Sequence, residues 1–319
     1  MNSPWQSFAL FCAPMEGVMQ PPVISACNNL ALVGMWITPF LRISRNVPKR
    51  TQIRQFLAPF EPEKRPVVLQ LMGVDPEKTA DAARLALPLG IAGVDLNLGC
   101  PSRQVTHHGA GAGALRREVR TQTLAVAAAL RKAVPEGGFS VKMRIGWSDP
   151  AEFSELLPAL VRHAAPDCVT VHCRTAREGY RPVPDRMARF AAIADCARSC
   201  GVRFLLNGDI GTSEEAQMLM RTTGADGVMI GRGFWHDPWI LKRLEAPGNG
   251  APTPEIGRRI LWKALLRELA NPDAAASRGK AVELAHLILG ADSEAARTLR
   301  ALPDGEFPVW LAEAAQAAD

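Results

Sequence analysis

The chain contains no strongly apolar, uncharged run of about 18 residues, the length that a membrane-crossing helix needs. Residues 1–12 lack a basic segment ahead of an apolar one, and Glu16 and Gly17 follow closely. The stretch therefore reads as a first strand rather than a secretory leader. The seven cysteines are odd in number and without framework spacing, which argues for free thiols in a reducing cytoplasm. Cys168, His172 and Cys173 find no second pair at zinc-ligand spacing, so no metal is expected. Cys196 and Cys200, four apart, read as packing residues on one helix face. No Gly-x-Ser-x-Gly elbow is present, which removes the hydrolases that depend on one.

What remains is an ordinary globular composition. The 319 residues are 47% apolar and 22% charged, enough for one large domain and a small one. The net charge of +5 is unevenly placed. Arg42, Arg45, Lys49, Arg50, Arg54, Lys64 and Arg65 lie between positions 41 and 65, against only Glu61 and Glu63. Such a stretch is either a solvated loop or a surface for a polyanion, and charge alone does not choose.

Short apolar, β-rich segments recur at residues 8–12, 33–37, 67–71, 94–98, 140–145, 168–172, 203–206 and 227–230. Helical spacing fills 76–89, 120–134, 151–164, 187–200 and 213–222. Eight alternating β/α units fit a closed (β/α)8 TIM barrel better than an open doubly wound sheet. Residues 39–66 give the weakest signal, with no clear helix after the second strand. The Pro- and Gly-rich run 245–254 reads as a linker. Beyond it, 256–269, 280–289 and 293–302 have amphipathic periodicity, and 255–319 carries eight Lys and Arg against ten Asp and Glu. The expected organisation is a catalytic barrel over 1–244, a linker over 245–254, and a small C-terminal all-helical domain over 255–319.

Barrels of this kind carry their chemistry at the C-terminal ends of the strands. Pro14, Met15 and Glu16 follow the first strand, and Gln70 closes the third. Asn97, Gly99, Cys100 and Pro101 end the fourth, Lys142 and Arg144 lie on the fifth, and His172, Cys173 and Arg174 end the sixth. Asn207, Gly208 and Asp209 follow the seventh, and Gly231, Arg232 and Gly233 the eighth. Polar groups set in apolar strands cost free energy unless paired or used. The glycines of the last two clusters let backbone N–H groups close on an anion, with Arg232 as a charged donor. A plain helix-starting turn with a surface Arg is the alternative. Lys142 and Arg144, two apart, share one strand face. They either pair with an acid on a neighbouring strand or stabilise an electron-rich ligand such as a reduced ring. Cys100 is either a buried thiol at a Gly-Pro turn or a proton donor, because a cysteine thiol holds its proton near neutral pH. His107 and His108, ahead of the glycine-rich 109–113, form a lid or a flexible turn.

The motifs occur in one order from residue 8 to 240. They are Ala13-Pro14-Met15 with Gly17, Gln70-Leu71, Asp95-Leu96-Asn97 with Gly99-Cys100-Pro101, and the glycine-rich 109–115. Val141-Lys142 with Arg144, Gly146-Trp147, Val171-His172 with Arg174-Thr175, and Gly179-Tyr180 follow. Asn207-Gly208-Asp209-Ile210 and Val228-Met229-Ile230-Gly231-Arg232 complete the set. Together they resemble the tRNA-dihydrouridine synthases, flavin enzymes that reduce a uridine in tRNA. Pro14-Met15-Glu16-Gly17, Ile37-Thr38 with Phe40 and Arg42, Ser277-Arg278-Gly279-Lys280 and Leu299-Arg300 resemble the synthase C branch, associated with uridine 16 of the D-loop.

The resemblance implies FMN held by Pro14, Met15, Glu16, Gln70, Lys142, His172, Asn207, Gly208, Asp209, Gly231 and Arg232, with NADPH as reductant. It further implies hydride delivery to C6 of the uracil and protonation of C5 by Cys100. Asn97 would hydrogen-bond the base, which has to leave its stack. Arg42, Arg144, Arg174, Tyr180, Arg278, Lys280 and Arg300 would meet tRNA. A cytoplasmic monomer, free of membrane and metal, is the expected form. Two positions depart from the family pattern. Pro39 stands where many members carry Glu, which removes a carboxylate and a backbone donor. Arg103-Gln104 stands where a Lys is usual. Competing readings are a flavin barrel acting on a free small molecule and a tRNA-binding protein whose reductase chemistry has decayed. The basic stretch and helical tail argue against the first, and only Pro39 favours the second.

Overall fold

The computed structural model describes residues 3–248, 250–274 and 276–318; Met1 and Asn2 of the opening stretch and Asn249 of the expected linker lie outside them. Among the described residues, nine short strands form one sheet: β1 (Leu10–Cys12), β2 (Trp36–Ile37), β3 (Leu41–Arg42), β4 (Val67–Met72), β5 (Gly93–Leu98), β6 (Phe139–Arg144), β7 (Cys168–His172), β8 (Phe204–Asn207) and β9 (Gly227–Ile230). Strands β4 to β9 pair in succession and in parallel, and β2 and β3 both pair with β4. Strand β1 bonds to β9 and lies beside β2. The sheet thus curls into the nearly closed (β/α)8 TIM barrel that the sequence led us to expect.

Pro39 explains why β2 and β3 are two strands on one edge of β4. Thr38 N still donates to Val68 O at 3.0 Å, but Pro39 has no N–H to continue the ladder. Pairing resumes at Leu41 opposite Leu71. The weakly patterned 39–66 segment holds the helix Arg50–Leu57. Its buried face is Ile53 and Leu57, with Phe60 just beyond, too sparse a pattern to stand out from the flanking charges.

Strand periodicity sorts the barrel interior into layers. Phe11, Ile37, Val68, Cys168, Leu205 and Met229 join Trp5, Ala13 and Met35 in an apolar cluster. Burying a large apolar side chain of this kind contributes about 1.5–3 kcal/mol. Two residues further along the same faces, the side chains turn polar: Gln70 after Val68, Thr170 after Cys168, and Asn207 after Leu205. Register aligns Asp95 with Ser140, Asn97 with Lys142, Arg144 with His172, and His172 with Asn207. One end of the interior is therefore an apolar plug and the other a polar layer.

The chain divides into two compact units. The first comprises residues 3–14, 35–208 and 216–229. In it the helices Pro76–Ala86, Arg120–Ala133, Phe153–Ala164 and Arg186–Ser199 pack each against the next. The second comprises residues 15–34, 209–215 and 230–318. There Pro21–Asn29 and Phe307–Gln316 both pack on Pro254–Leu269, and Arg278–Leu289 packs on Glu294–Ala301. This unit is wider than the 255–319 tail read from sequence. Pro21–Asn29 buries Val23, Ile24, Ala26 and Cys27, and its Asn29 Nδ2 donates to Glu268 Oε1 at 2.8 Å. An apolar face formed early in the chain thus joins the helices formed late. The last helix, Phe307–Gln316, had no counterpart in the sequence reading. Among the described residues, no helix is long and apolar enough to cross a membrane.

Candidate functional site

In the first unit, Cys100 follows β5 on a loop in which the N–H and C=O groups of Gly99 and Cys100 are all bonded. Gly99 N and Cys100 N both donate to Asn97 Oδ1, each at 3.0 Å. Gly99 O accepts from Arg144 Nε at 2.9 Å, and Cys100 O accepts from Ala112 N at 2.9 Å. A Cβ at Gly111 would lie 2.9 Å from Cys100 O, and Gly111 adopts a φ of +54°, so only glycine fits there without strain. Cys100, like Phe40, packs against the cluster of Met72, Val105 and Ala110 and remains half-buried. The thiol is thus presented from a rigid loop at the polar end of the barrel. Among the described residues, no three His, Cys, Asp or Glu gather to hold a metal.

Beneath the loop, Gln70 Nε2 donates to Asp95 Oδ2 at 2.8 Å and Asn97 Nδ2 donates to Gln70 Oε1 at 2.7 Å. Ser140 Oγ donates to the other Asp95 oxygen. Burial pushes the Asp95 carboxyl up to about 6, opposed by the hydrogen bonds from Ser140 and Gln70 and by the nearby Lys142 charge. Lys142 Nζ donates to Asn207 Oδ1 at 3.1 Å, and Asn207 Nδ2 donates to Met229 O at 2.7 Å. Lys142 keeps some access to solvent, yet protein encloses it enough to push its amine down to about 8. Arg144 acts in the same direction and Asp95 against it. An enclosed cation with one acceptor calls for an electron-rich partner.

The sign of that shift gives a test. The folded value lies below the ordinary 10.5, so the enclosed charge costs stability at every pH below 8, and the cost fades as pH rises from 8 to 10.5. By urea unfolding of ligand-free protein, the stability difference between the parent and Lys142→Met should move in the parent's favour as pH rises from 8 to 10.5. A difference that stays constant up to pH 10.5 contradicts an enclosed, perturbed amine.

Arg144 and Arg174 were expected to face RNA, and the structure differs: they are only 3% and 2% exposed. Arg144 also donates to Thr175 O at 2.8 Å and Gly179 O at 3.1 Å, and Arg174 Nε donates to Arg181 O at 2.7 Å. Arg189 adds a two-pronged pair with Glu178, at 2.7 and 2.8 Å, and Glu178 in turn accepts from Thr175 N at 2.7 Å. These bonds brace the loop that carries Tyr180, a residue that is 71% exposed. His172 Nδ1 accepts from Arg174 N at 3.1 Å. Arg42, Arg45, Lys49, Arg50, Arg54 and Lys64 are all exposed, with Lys64 and Arg65 both paired to Glu61. Ser140 and the Glu178–Arg189 pair escaped the sequence reading, while Asp95 and Gly111 stood in it only within the Asp95-Leu96-Asn97 motif and the glycine-rich 109–115, with no role assigned.

In the second unit, Gly231 and Arg232 open a short helix, Arg232–His236. A Cβ at Gly233 would lie 2.3 Å from Ile210 O, so glycine lets the 209–211 and 231–233 turns touch. Arg232 NH2 pairs with Asp209 Oδ1 at 2.6 Å, which holds an exposed guanidinium at these turns. Trp235 Nε1 donates to Met15 Sδ at 3.2 Å, and Glu16 is exposed. Lys280 Nζ bonds Gly17 O and pairs with Glu283 at 2.9 Å. Arg278 donates to Leu299 O and Arg300 O, each at 3.3 Å, and Arg300 bonds His286 Nε2 at 2.6 Å.

Residues 11–283 match the family described as dihydrouridine synthase (Dus). The tRNA-dihydrouridine(16) synthase of Cupriavidus necator is 32% identical over 270 residues, 82% of this chain and 80% of that protein. That of Escherichia coli is 34% identical over 254 residues, 76% of this chain and 78% of that protein. The tRNA-dihydrouridine synthase B of Pseudomonas syringae pv. tomato is 29% identical over 264 residues, 82% of this chain and 75% of that protein. The old yellow enzyme from Trypanosoma cruzi shares the fold at a TM-score of 0.53 and 12% identity, over 74% of this chain and 88% of that chain. Morphinone reductase does so at a TM-score of 0.52 and 14% identity, over 77% and 88%. The barrel, the held thiol and the family match over most of its length agree, and the chain belongs to the dihydrouridine synthase family.

Proposed function

We propose that this chain reduces a uridine in tRNA to 5,6-dihydrouridine, with FMN as cofactor, NADPH as reductant and uridine 16 of the D-loop as target. The observation that carries the reading is Cys100, a half-buried thiol whose own peptide groups and those of Gly99 are all bonded. The choice of position 16 follows relatives of that name at 32% and 34% identity, against 29% for the synthase B relative.

The residues present fit a flavin mononucleotide. Lys142 donates to Asn207 and has further N–H groups for the acceptor-rich ring, with Pro14, Gln70, His172 and Gly208 as its companions in the first unit. In the second unit, considered by itself, the Gly231-Arg232-Gly233 turn, with Asp209, suits a phosphate, and Met15 and Glu16 are the cofactor residues expected there. A bound flavin would supply hydride to C6 of the uracil. Cys100 holds the proton that C5 takes up, a role its fixed backbone serves by removing the need to search for the acceptor. Asn97 has one Nδ2 hydrogen beyond its bond to Gln70 and offers it to the base. The exposed Tyr180 provides a stacking face for RNA, with Arg144 and Arg174 supporting its loop. Arg42, Arg278, Lys280 and Arg300 supply cations for the phosphate backbone. A cytoplasmic monomer is part of this reading.

Mapping dihydrouridine in tRNA from a strain lacking this protein tests it. Loss at position 16 alone is the expected result. Loss elsewhere in the D-loop would move the target, and no loss would remove the function. The purified protein should be yellow. A colourless preparation that FMN cannot reconstitute would favour a tRNA-binding protein without reductase chemistry.

A further inference from the structure

A chain of side-chain hydrogen bonds runs from a buried carboxylate to the loop of Cys100, and its direction is fixed at both ends. Asp95 Oδ2 accepts from Gln70 Nε2, Gln70 Oε1 accepts from Asn97 Nδ2, and Asn97 Oδ1 accepts from the N–H groups of Gly99 and Cys100. An ionised carboxylate can only accept and a backbone N–H can only donate. The two carboxamides between them have two orientations each, but a single combination satisfies both ends. Reversing Gln70 alone turns its NH2 toward the NH2 of Asn97. Reversing both turns the Asn97 NH2 toward two backbone donors.

We infer that Asp95 is a positioning residue for the reaction: its carboxylate sets the orientation of Gln70 and Asn97 and, through them, holds the backbone that presents the Cys100 thiol. The inference rests on the role proposed for Cys100. Asp95 is 1% exposed and Gln70 is 1% exposed, so water does not compete for these bonds and each is costly to lose. Arg144 fixes Gly99 O independently, so losing the Asp95 chain frees the N–H side of the loop alone.

The inference carries its own pH dependence. The groups facing Asp95 are Gln70 on β4, Ser140 and Lys142 on β6, and Cys168 on β7. Lys142 titrates at about 8, and burial raises the Cys168 thiol well above its ordinary range. Neither changes charge between pH 5 and 7. Asp95 does, near 6. Once protonated it can donate as well as accept, and the orientation of the amides is no longer dictated from that end.

Amide hydrogen exchange at Gly99 and Cys100, read on the purified holoenzyme, tests this directly. In the parent, protection should fall on acidification with a midpoint near 6 once the intrinsic rate is corrected for. In Asp95→Asn the exchange should be about tenfold faster at pH 7.5 and without that midpoint. The kcat for uridine reduction should fall by a similar factor with the KM for tRNA unchanged. Asn97→Asp should also release the loop, because Gln70 would then face a carboxylate on each side. The double variant Asp95→Asn with Asn97→Asp reverses the whole chain and should restore protection, since the new Asn donates to Gln70 and the new Asp accepts from the backbone. Wild-type protection in either single variant, or no recovery in the double, overturns the inference. The Asn97→Asp pair decides the matter if Asp95→Asn does not fold. Failure of the functional reading looks different: parent protein with a protected loop that makes no dihydrouridine.

Discussion

Replacing Cys100 with alanine should lower dihydrouridine formation by about a hundred- to ten-thousand-fold, the range that a positioned general acid contributes. The substitution is clean. Alanine keeps the N–H that donates to Asn97 and the carbonyl that accepts from Ala112, and its Cβ still packs against Met72, Val105 and Ala110. Only the thiol, and with it the proton, is lost. Flavin absorbance of the purified variant and its retention of tRNA should therefore match the parent, while single-turnover reduction of the uridine collapses. Reduction at the parent rate would show that C5 takes its proton from another group or from water.

Replacing Arg144 with lysine should destabilise the protein by about 3 kcal/mol, although the charge is kept, because a buried carbonyl left without a donor costs about 1–3 kcal/mol. The guanidinium serves the carbonyls of Gly99, Thr175 and Gly179 at once. An ammonium on a flexible stem cannot reproduce that planar spread of donors. The lost bonds tie the Cys100 loop and the Tyr180 loop to β6, so both should loosen together. Unfolding in urea reports the stability loss, and proteolysis within 175–181 reports the loosening. A lysine variant as stable as the parent would mean that the three carbonyls find other partners and that Arg144 is not the brace its geometry indicates.

Much of the fold could be read from local pattern. Seven of the eight strands expected from apolar runs lie within a residue or two of their observed positions, because a parallel strand buried on both faces must be nearly continuous in Val, Ile and Leu. The exception, 33–37, keeps only Trp36–Ile37, and beyond it Pro39 interrupts pairing before a second short strand resumes at Leu41. The helix Arg50–Leu57 was obscured by its own charge, since two buried residues suffice to anchor it. Neither the helix Pro21–Asn29 nor its packing on Pro254–Leu269 was read from the sequence. Nothing local links segments more than 200 residues apart.

The candidate site divides in the same way. Cys100, Lys142, Asn207 and the glycines near 208 and 231 could be picked out because reactive or charged groups at strand ends are costly without a use. Arg144 and Arg174 carried the same signal, yet the structure spends their charge on backbone carbonyls rather than leaving it exposed. Asp95 was visible only as a motif letter, and its partners Gln70 and Ser140 lie 25 and 45 residues away.

Composition, the recurrence of apolar runs and the chemistry of strand ends were enough to determine a β/α barrel and to single out one thiol and one enclosed lysine, because those properties belong to residues taken one at a time or a few apart. Register and packing decided the rest: which side chains share the barrel interior, which way each carboxamide faces, and which arginines brace loops instead of meeting solvent. A one-residue slip in any strand would send its polar side chains to the opposite face, so the hydrogen-bond chain from Asp95 to Cys100 exists only once the strands have paired.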